Sequence, residues 1–278
     1  MPEGPEIRIA ADKVDGTVTG HVATSVYFGL PHLEPFAAEL TGQTVERVVA
    51  RGKAMVTTFA NGWHVYSHNQ LYGRWYVRKR NGLPKTSRSL RFAIRTRHGS
   101  AFLYSASDIH VLEGDAIDGH PYLAKLGPDP LIAETKASAI TARARSARFR
   151  GRSFGALLLD QSFVAGLGNY LRSEILFFAG LHPRRRPRDC SPADLARLGR
   201  HALNIPRRSY ETRGITNRPG DAQRLKREGA PRRVYRHAVF GLEGRPCLRC
   251  ESKIEKSQLA SRRIYWCPTC QSEVEGGA

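Results

Sequence analysis

Residues 157–180 read LLLDQSFVAGLGNYLRSEILFFAG. The stretch is apolar at both ends and interrupted by Gly166-Leu167-Gly168. It predicts a leucine-rich helix over residues 154–163, a glycine break, and a second helix over Asn169–Ala179. Gly180 follows the last periodic position and Pro183 lies just beyond, a normal way for a helix to stop. Downstream, Ser191-Pro192 supplies an N-cap and a first-position proline for a further helix. Residues 213–233 are rich in Arg, Gly and Pro and read as a mobile basic loop.

Upstream the period changes. Residues 55–59, 63–67, 75–78, 90–95 and 101–105 are short, alternating, and β-branched or aromatic, with Asn61-Gly62 and His98-Gly99 as turns between them. They predict a β-sandwich or barrel. Ahead of it, Pro5 opens a helix on which Ile7, Ala10, Ala11 and Val14 repeat at helical spacing. Leu126-Gly127-Pro128-Asp129-Pro130 reads as a linker. The expected class is α+β: an N-terminal β-sandwich domain with a leading helix over residues 1–123, a linker over 124–132, a helical domain over 133–225, and a cysteine-bearing β-hairpin module over 234–271. The sequence shows no internal repeats.

A chain of 278 residues with 41% hydrophobic content builds packed cores in one to three domains. It has no apolar run of transmembrane length. Met1-Pro2-Glu3-Gly4-Pro5-Glu6 is acidic and proline-broken, unlike a secretory signal, so a cytoplasmic location is expected. The formal charge is +19, carried mostly by arginine, which forks onto phosphate. Such a chain calls for a polyanion. Charge alone also suits a ribosomal or merely basic surface protein.

Four of the five cysteines form Cys247-x2-Cys250, then, sixteen residues on, Cys267-x2-Cys270. Four thiolates at this spacing suit one tetrahedral, structural zinc ion, with a hairpin over residues 254–266 between the knuckles. Disulfides and other metals are the alternatives. Cys190 stands apart and reads as an incidental thiol.

The other chemical signal is at the start of the chain. Removal of Met1 would leave Pro2 as a terminal secondary amine. An α-amino group has a pKa near about 8 against about 10.4 for lysine, so roughly a tenth is unprotonated at pH 7. Only that form attacks carbon. Condensation with a sugar C1′ gives an iminium ion, an electron sink that acidifies the neighbouring C–H and permits loss of the 3′-phosphate. Glu3 stands beside the amine to move protons, and Glu6 is one turn on. These residues alone fit equally a frayed terminus at a helix start.

Taken together, the N-terminus Met1-Pro2-Glu3-Gly4-Pro5-Glu6-Ile7-Arg8, the 157–180 stretch and the cysteine quartet resemble the formamidopyrimidine-DNA glycosylase/endonuclease VIII family over nearly the whole chain. Gly4, Ser67-His68-Asn69-Gln70-Leu71-Tyr72-Gly73, Ser261-Arg262 and Tyr265-Trp266-Cys267-Pro268 look like the bacterial endonuclease VIII branch, which acts on pyrimidines. The resemblance implies a helix–two-turns–helix element, a zinc finger, and DNA bound between the two domains. It implies that Pro2 is the Schiff-base nucleophile, Glu3 a proton donor, Lys53 the proton donor for β-elimination and a phosphate ligand, and Arg262 an aid to δ-elimination. An arginine on a metal-fixed hairpin is well placed to fork onto phosphate. Without the motif, Lys53 would be an ordinary surface lysine.

The resemblance further implies that Gln70, Leu71 and Tyr72 fill the gap left by an extruded nucleotide, because the sugar carbon is unreachable in the stack. Taken alone, Leu71 and Tyr72 also suit an ordinary strand. Asn169 opens a helix after a Gly-x-Gly turn, where backbone N–H groups favour phosphate; a plain helix break is the alternative. Lys125 stands where the branch has a DNA-contacting arginine, keeping the charge and losing the fork.

The expected activity is bifunctional: excision of oxidised pyrimidines from damaged duplex DNA, then strand cleavage by β,δ-elimination. The same chemistry on oxidised purines is the runner-up, and a non-catalytic zinc-finger DNA binder a third reading. One zinc ion, no organic cofactor, no membrane, a monomer, and a bacterial cytoplasmic protein on nucleoid DNA complete the expectation.

Overall fold

The computed structural model describes residues 2–79 and 82–272. Met1 lies outside the described residues. In chain order the elements are α1 (Gly4–Val18), β1 (Ser25–Phe28), α2 (Phe36–Leu40), β2 (Val45–Arg51), β3 (Ala54–Phe59), β4 (Trp63–His68), β5 (Arg74–Arg78), β6 (Leu90–Arg95), β7 (Ser100–Tyr104), β8 (Asp108–Glu113), α3 (Ala137–Arg145), α4 (Phe154–Leu157), α5 (Asn169–Ala179), α6 (Pro192–Glu211), α7 (Pro219–Arg227), α8 (Arg232–Tyr235), β9 (Glu255–Leu259) and β10 (Arg262–Trp266). Chain contacts separate two compact units, which meet in sequence at Lys125 and Leu126. No helix among the described residues is long and apolar enough to cross a membrane.

The first unit is a β-sandwich of two four-stranded antiparallel sheets, ordered β1-β6-β7-β5 and β2-β3-β4-β8. All six residues of β3 and all five of β7 are buried, as expected of interior strands covered on both faces. Phe28, Phe59, Val65, Phe92, Ile94 and Leu103 form the core. Helix α1 adds Ile7, Ala11, Val14 and Val18 and packs on β2; the Asp15 carboxylate accepts the Val48 N–H at 2.8 Å. Pro5 occupies the second helical position and not the first. The sequence reading finds five of these eight strands. The three it omits, β1, β2 and β8, all lie at sheet edges, as does β5, which it finds.

The second unit packs α3 and α5 on α6, and β10 on α5. Asn169–Ala179 is the predicted helix with its predicted ends; Gly180 takes the left-handed conformation at φ 67°. Ser191 and Asp194 form a capping box at the start of α6.

Two expectations are corrected. The helix predicted over residues 154–163 is a single turn, Phe154–Leu157, followed by tight turns. Asp160 Oδ1 accepts both the amide and hydroxyl of Ser162, at 2.8 and 2.7 Å. Gln161 donates to the carbonyls of Leu159 and Leu167 and accepts the Gly166 N–H. These side chains satisfy the backbone that a helix would otherwise satisfy. Leu157, Leu158, Phe163, Val164 and Leu167 are fully buried, so apolarity here reports burial and not period. The basic stretch 213–233 is not a loop throughout, because it contains α7 and the start of α8. In α7, Pro219 and Asp221 suit the first turn and Arg224, Lys226 and Arg227 complement the dipole in the last.

Candidate active site, nucleic-acid interface and metal centre

In the first unit the chain start is fixed from its third residue. Glu3 is 4% exposed, extended, and N-caps α1. Its amide donates to Glu6 Oε2 at 3.0 Å in a capping box. Glu3, Gly4 and Pro5 are buried, which is not the arrangement of a frayed end. Pro2 is half-buried immediately ahead of this fixed helix start.

Lys53 lies in the two-residue turn joining β2 to β3, with Arg51 paired to Ala54 across it. Its amide donates to the Tyr122 hydroxyl at 2.9 Å. Lys125 is exposed, and its ammonium stands 5.8 Å over the Tyr122 ring. Gln70, Leu71 and Tyr72 form the turn between β4 and β5 and are not strand residues. Leu71 is 56% and Tyr72 67% exposed, large apolar groups held out in solvent. Gln70 has φ 51°, an uncommon backbone for a residue with a side chain. It is held by its amide donating to His68 Nδ1 at 2.9 Å and by Ser107 Oγ donating to its Oε1 at 3.0 Å. Burial pushes the His68 pKa down, Lys53 adds to that, and Asp108 opposes it. A neutral ring keeps Nδ1 available as acceptor. The His68 ring meets the edge of Tyr122. Lys53, Lys125 and the 70–72 turn are therefore linked through Tyr122 and His68.

In the second unit, Asn169 is the first residue of α5, after Gly168 in extended conformation. One turn on, Arg172 is fully buried and donates to the carbonyls of Gly155 (2.6 Å), Leu259 (3.2 Å), Arg262 (3.3 Å) and Arg263 (3.1 Å). The four carbonyls take up the two terminal nitrogens of the planar fork, Nη1 on Gly155 and Leu259 and Nη2 on Arg262 and Arg263. Gly155 permits this approach, since a Cβ there would lie 2.1 Å from Leu259 Cδ2. Ser173 Oγ donates to Asn169 O and accepts the Tyr265 amide. The α5 start and the hairpin bearing Arg262 are thus one construction, with the Arg262 side chain exposed. The sequence analysis assigned Arg172 no role. Its signal is a lone arginine between Leu171 and Ile175 on a buried helix.

Glu174, also on α5, is fully buried. Burial raises its pKa, and donors from Ala238, Thr216, Val239 and Phe240 oppose the rise. It pins the chain ahead of the cysteine module. His237, beside it, is pushed down to about 3, first by burial and then by Arg236 and Arg232, and so stays neutral.

Cys247, Cys250, Cys267 and Cys270 bring four Sγ atoms within 4.8 Å of one another. Recorded Sγ separations are 3.4 Å (Cys250–Cys267), 3.5 Å (Cys250–Cys270) and 3.9 Å (Cys247–Cys270). A tetrahedron with bonds of about 2.3 Å has edges of about 3.8 Å, so the quartet fits one metal ion. The amides of Arg249 and Cys270 point at Cys247 and Cys267 Sγ, both at 3.4 Å, as suits thiolates. Cys190 is half-buried, and burial pushes its thiol up to about 11, where it is unreactive.

Models of two domains match the chain: the formamidopyrimidine-DNA glycosylase N-terminal domain over residues 1–106 and its H2TH domain over residues 126–219. Endonuclease 8 of Salmonella schwarzengrund is 47% identical over 271 residues, spanning 98% of this chain and 100% of that one. Endonuclease 8 of Salmonella typhimurium (strain LT2) is 46% identical over the same shares. Among solved structures, wild-type Lactococcus lactis Fpg (MutM) in complex with DNA containing an oxidized pyrimidine has a TM-score of 0.80 at 21% identity, covering 98% of this chain and 100% of that one. The same protein with abasic-site DNA gives 0.79 at 20%, with the same coverage. At that identity the likeness speaks for the fold alone.

The fold and the domain matches define the class: the chain belongs to the formamidopyrimidine-DNA glycosylase/endonuclease VIII family. Within it the chain sides with endonuclease VIII, and it is a DNA glycosylase with AP lyase activity, an enzyme of base excision repair.

Proposed function

We propose that this enzyme, acting as a monomer on nucleoid DNA, excises oxidised pyrimidines from duplex DNA through the Pro2 amine and cuts the strand by β,δ-elimination. The observation that carries the reading is the buried, helix-capping Glu3 directly after Pro2. It sets a carboxylate and a low-pKa amine at one rigid point. The amine attacks C1′ as the base leaves, Glu3 protonates the opening sugar oxygen, and the resulting iminium releases a C2′ proton and the 3′-phosphate. Lys53 supplies the proton in that elimination and binds phosphate. Arg262 assists the subsequent loss of the 5′-phosphate. Gln70, Leu71 and Tyr72 fill the vacated stack, supported by the exposure of Leu71 and Tyr72. Lys125 and the amides at the Asn169 end of α5 bind backbone phosphates. The metal is zinc, held by Cys247, Cys250, Cys267 and Cys270. It does no chemistry and fixes the hairpin that presents Arg262.

Borohydride trapping on a panel of duplexes, each with one lesion, tests this. Oxidised pyrimidines should trap fastest. A preference for formamidopyrimidines or 8-oxoguanine would assign the purine branch, and no trapping on any lesion would remove the catalytic reading.

Arg262→Ala should weaken duplex binding by ~1–3 kcal/mol and lower the salt slope by about one. Its products should shift towards β-elimination ends on a gel that resolves the two. Unchanged affinity and unchanged products would make Arg262 an ordinary surface residue.

A further inference from the structure

We infer that Tyr122 is a positioning residue for Lys53, and that hydrogen bonds running through His120 and His110 hold it in place. The inference rests on the reading of Lys53 as the proton donor in elimination.

Gly52 and Lys53 are the two turn residues between β2 and β3, and Gly52 carries φ 63°. The Tyr122 hydroxyl accepts the Lys53 amide at 2.9 Å from a segment 69 residues away. That bond fixes the peptide from which the Lys53 side chain departs.

Tyr122 is held in turn. Its own amide donates to His120 Nδ1 at 3.2 Å. A backbone N–H can only donate, so His120 Nδ1 is the bare nitrogen and the ring proton sits on Nε2. His120 Nε2 lies 2.9 Å from His110 Nδ1 and donates to it. The His110 proton is then on Nε2, which faces Asp108 Oδ1 at 3.6 Å. The hydrogen bonds run from His110 through His120 to the Tyr122 backbone, with the Asp108 carboxylate beyond hydrogen-bond range at the far end. Tyr66 stacks on His120 at 4.0 Å and locks its plane. Burial, His110 and Lys125 lower the His120 pKa against the pull of Asp108, which agrees with a neutral ring. Tyr66 pairs with His110, and His68 with Asp108, across β4 and β8, so the relay is built on a sheet face.

The test measures single-turnover cleavage of a pre-formed abasic site by wild type, Tyr122→Phe, Lys53→Ala and the double variant. Phenylalanine keeps the ring and removes the hydroxyl that accepts the Lys53 amide. Tyr122→Phe should slow elimination roughly fivefold, the weight of one neutral hydrogen bond. Borohydride-trapping rate and affinity for a tetrahydrofuran duplex should stay within about twofold. In the Lys53→Ala background the same change should have no further effect, and amide exchange at Lys53 should quicken in Tyr122→Phe alone. His120→Asn, which loosens Tyr122 without touching its hydroxyl, should give a smaller loss of the same kind, provided both variants melt like wild type. If Lys53→Ala is slow and Tyr122→Phe is not, the positioning role is overturned while the role of Lys53 stands. A Tyr122→Phe loss that persists undiminished without Lys53, or one accompanied by an equal loss of affinity, overturns it as well. Wild-type cleavage by Lys53→Ala overturns the reading of Lys53 and the inference with it.

Discussion

A form of the enzyme in which Met1 cannot be removed, for example beneath an uncleaved N-terminal tag, is expected to bind duplex DNA and to yield no borohydride-trapped complex. The reason is electronic. A residue ahead of Pro2 turns its nitrogen into a tertiary amide, whose lone pair is delocalised into the carbonyl. The nucleophile is then absent, and the loss should exceed ~1000-fold, the scale seen when an activated nucleophile is removed. Binding should survive, because the phosphate contacts proposed for Lys125, Asn169 and Arg262 do not depend on that nitrogen. Pro2→Gly sharpens the test, since it keeps a terminal amine of similar pKa and should trap, more slowly. Glu3→Gln keeps the amine and removes the proton donor, so it should depress base excision more than trapping on a pre-formed abasic site. Full trapping by the tagged protein would place the nucleophile on a lysine instead.

The second large effect concerns the cysteine quartet. Cys267→Ser should yield protein without bound metal, with hydrogen exchange across residues 254–266 at near-unprotected rates and duplex affinity reduced by at least ~100-fold. Two-stranded hairpins are marginal in isolation. This one carries an added cost: its two turn residues, Ala260 and Ser261, have φ 54° and 57°. Left-handed backbone favours Asn and Gly, and each of these two residues costs roughly 1–2 kcal/mol there. The hairpin therefore depends on external fasteners, the Arg172 fork on its carbonyls and the cysteine quartet, which fits one metal ion, at its base. Apparent binding energies of ~10–16 kcal/mol for structural zinc exceed that cost severalfold. The first unit, with its own core, should melt unchanged. Elemental analysis of wild type should find one zinc per chain. Metal-free Cys267→Ser protein with full affinity would remove the metal from any part in DNA binding.

Much of this molecule is legible in one dimension because its signals are local. Gly166-Leu167-Gly168, the left-handed Gly180 and Ser191-Pro192 punctuate helices through backbone rules that hold whatever surrounds them. The interior strands β3 and β7 are short β-branched or aromatic runs, buried along their whole length and bounded by turn residues such as Asn61-Gly62 and His98-Gly99. The Cys-x2-Cys pairs specify their own knuckles by spacing. Where local signals conflicted with context, context won. Most apolar side chains of the run at 154–163 are buried without keeping a helical period, and α7 forms within a stretch whose composition reads as a mobile basic loop.

The sequence by itself determined the α+β class and the metal quartet, since both are written in period and spacing; it divides the chain into three modules and a linker, where the structure has two compact units with the cysteine hairpin inside the second. Only the tertiary structure decided what Arg172, Glu174 and Tyr122 do. Their partners lie far along the chain: 87 to 91 residues from Arg172 to the hairpin carbonyls, 64 to 66 from Glu174 to the amides of Ala238, Val239 and Phe240, and 69 from Tyr122 to Lys53. An arginine in an apolar helix, a carboxylate among leucines and a tyrosine in a loop are ambiguous alone. Burial makes each group take the partners within reach, because an unsatisfied polar group away from water costs more than the bond itself contributes.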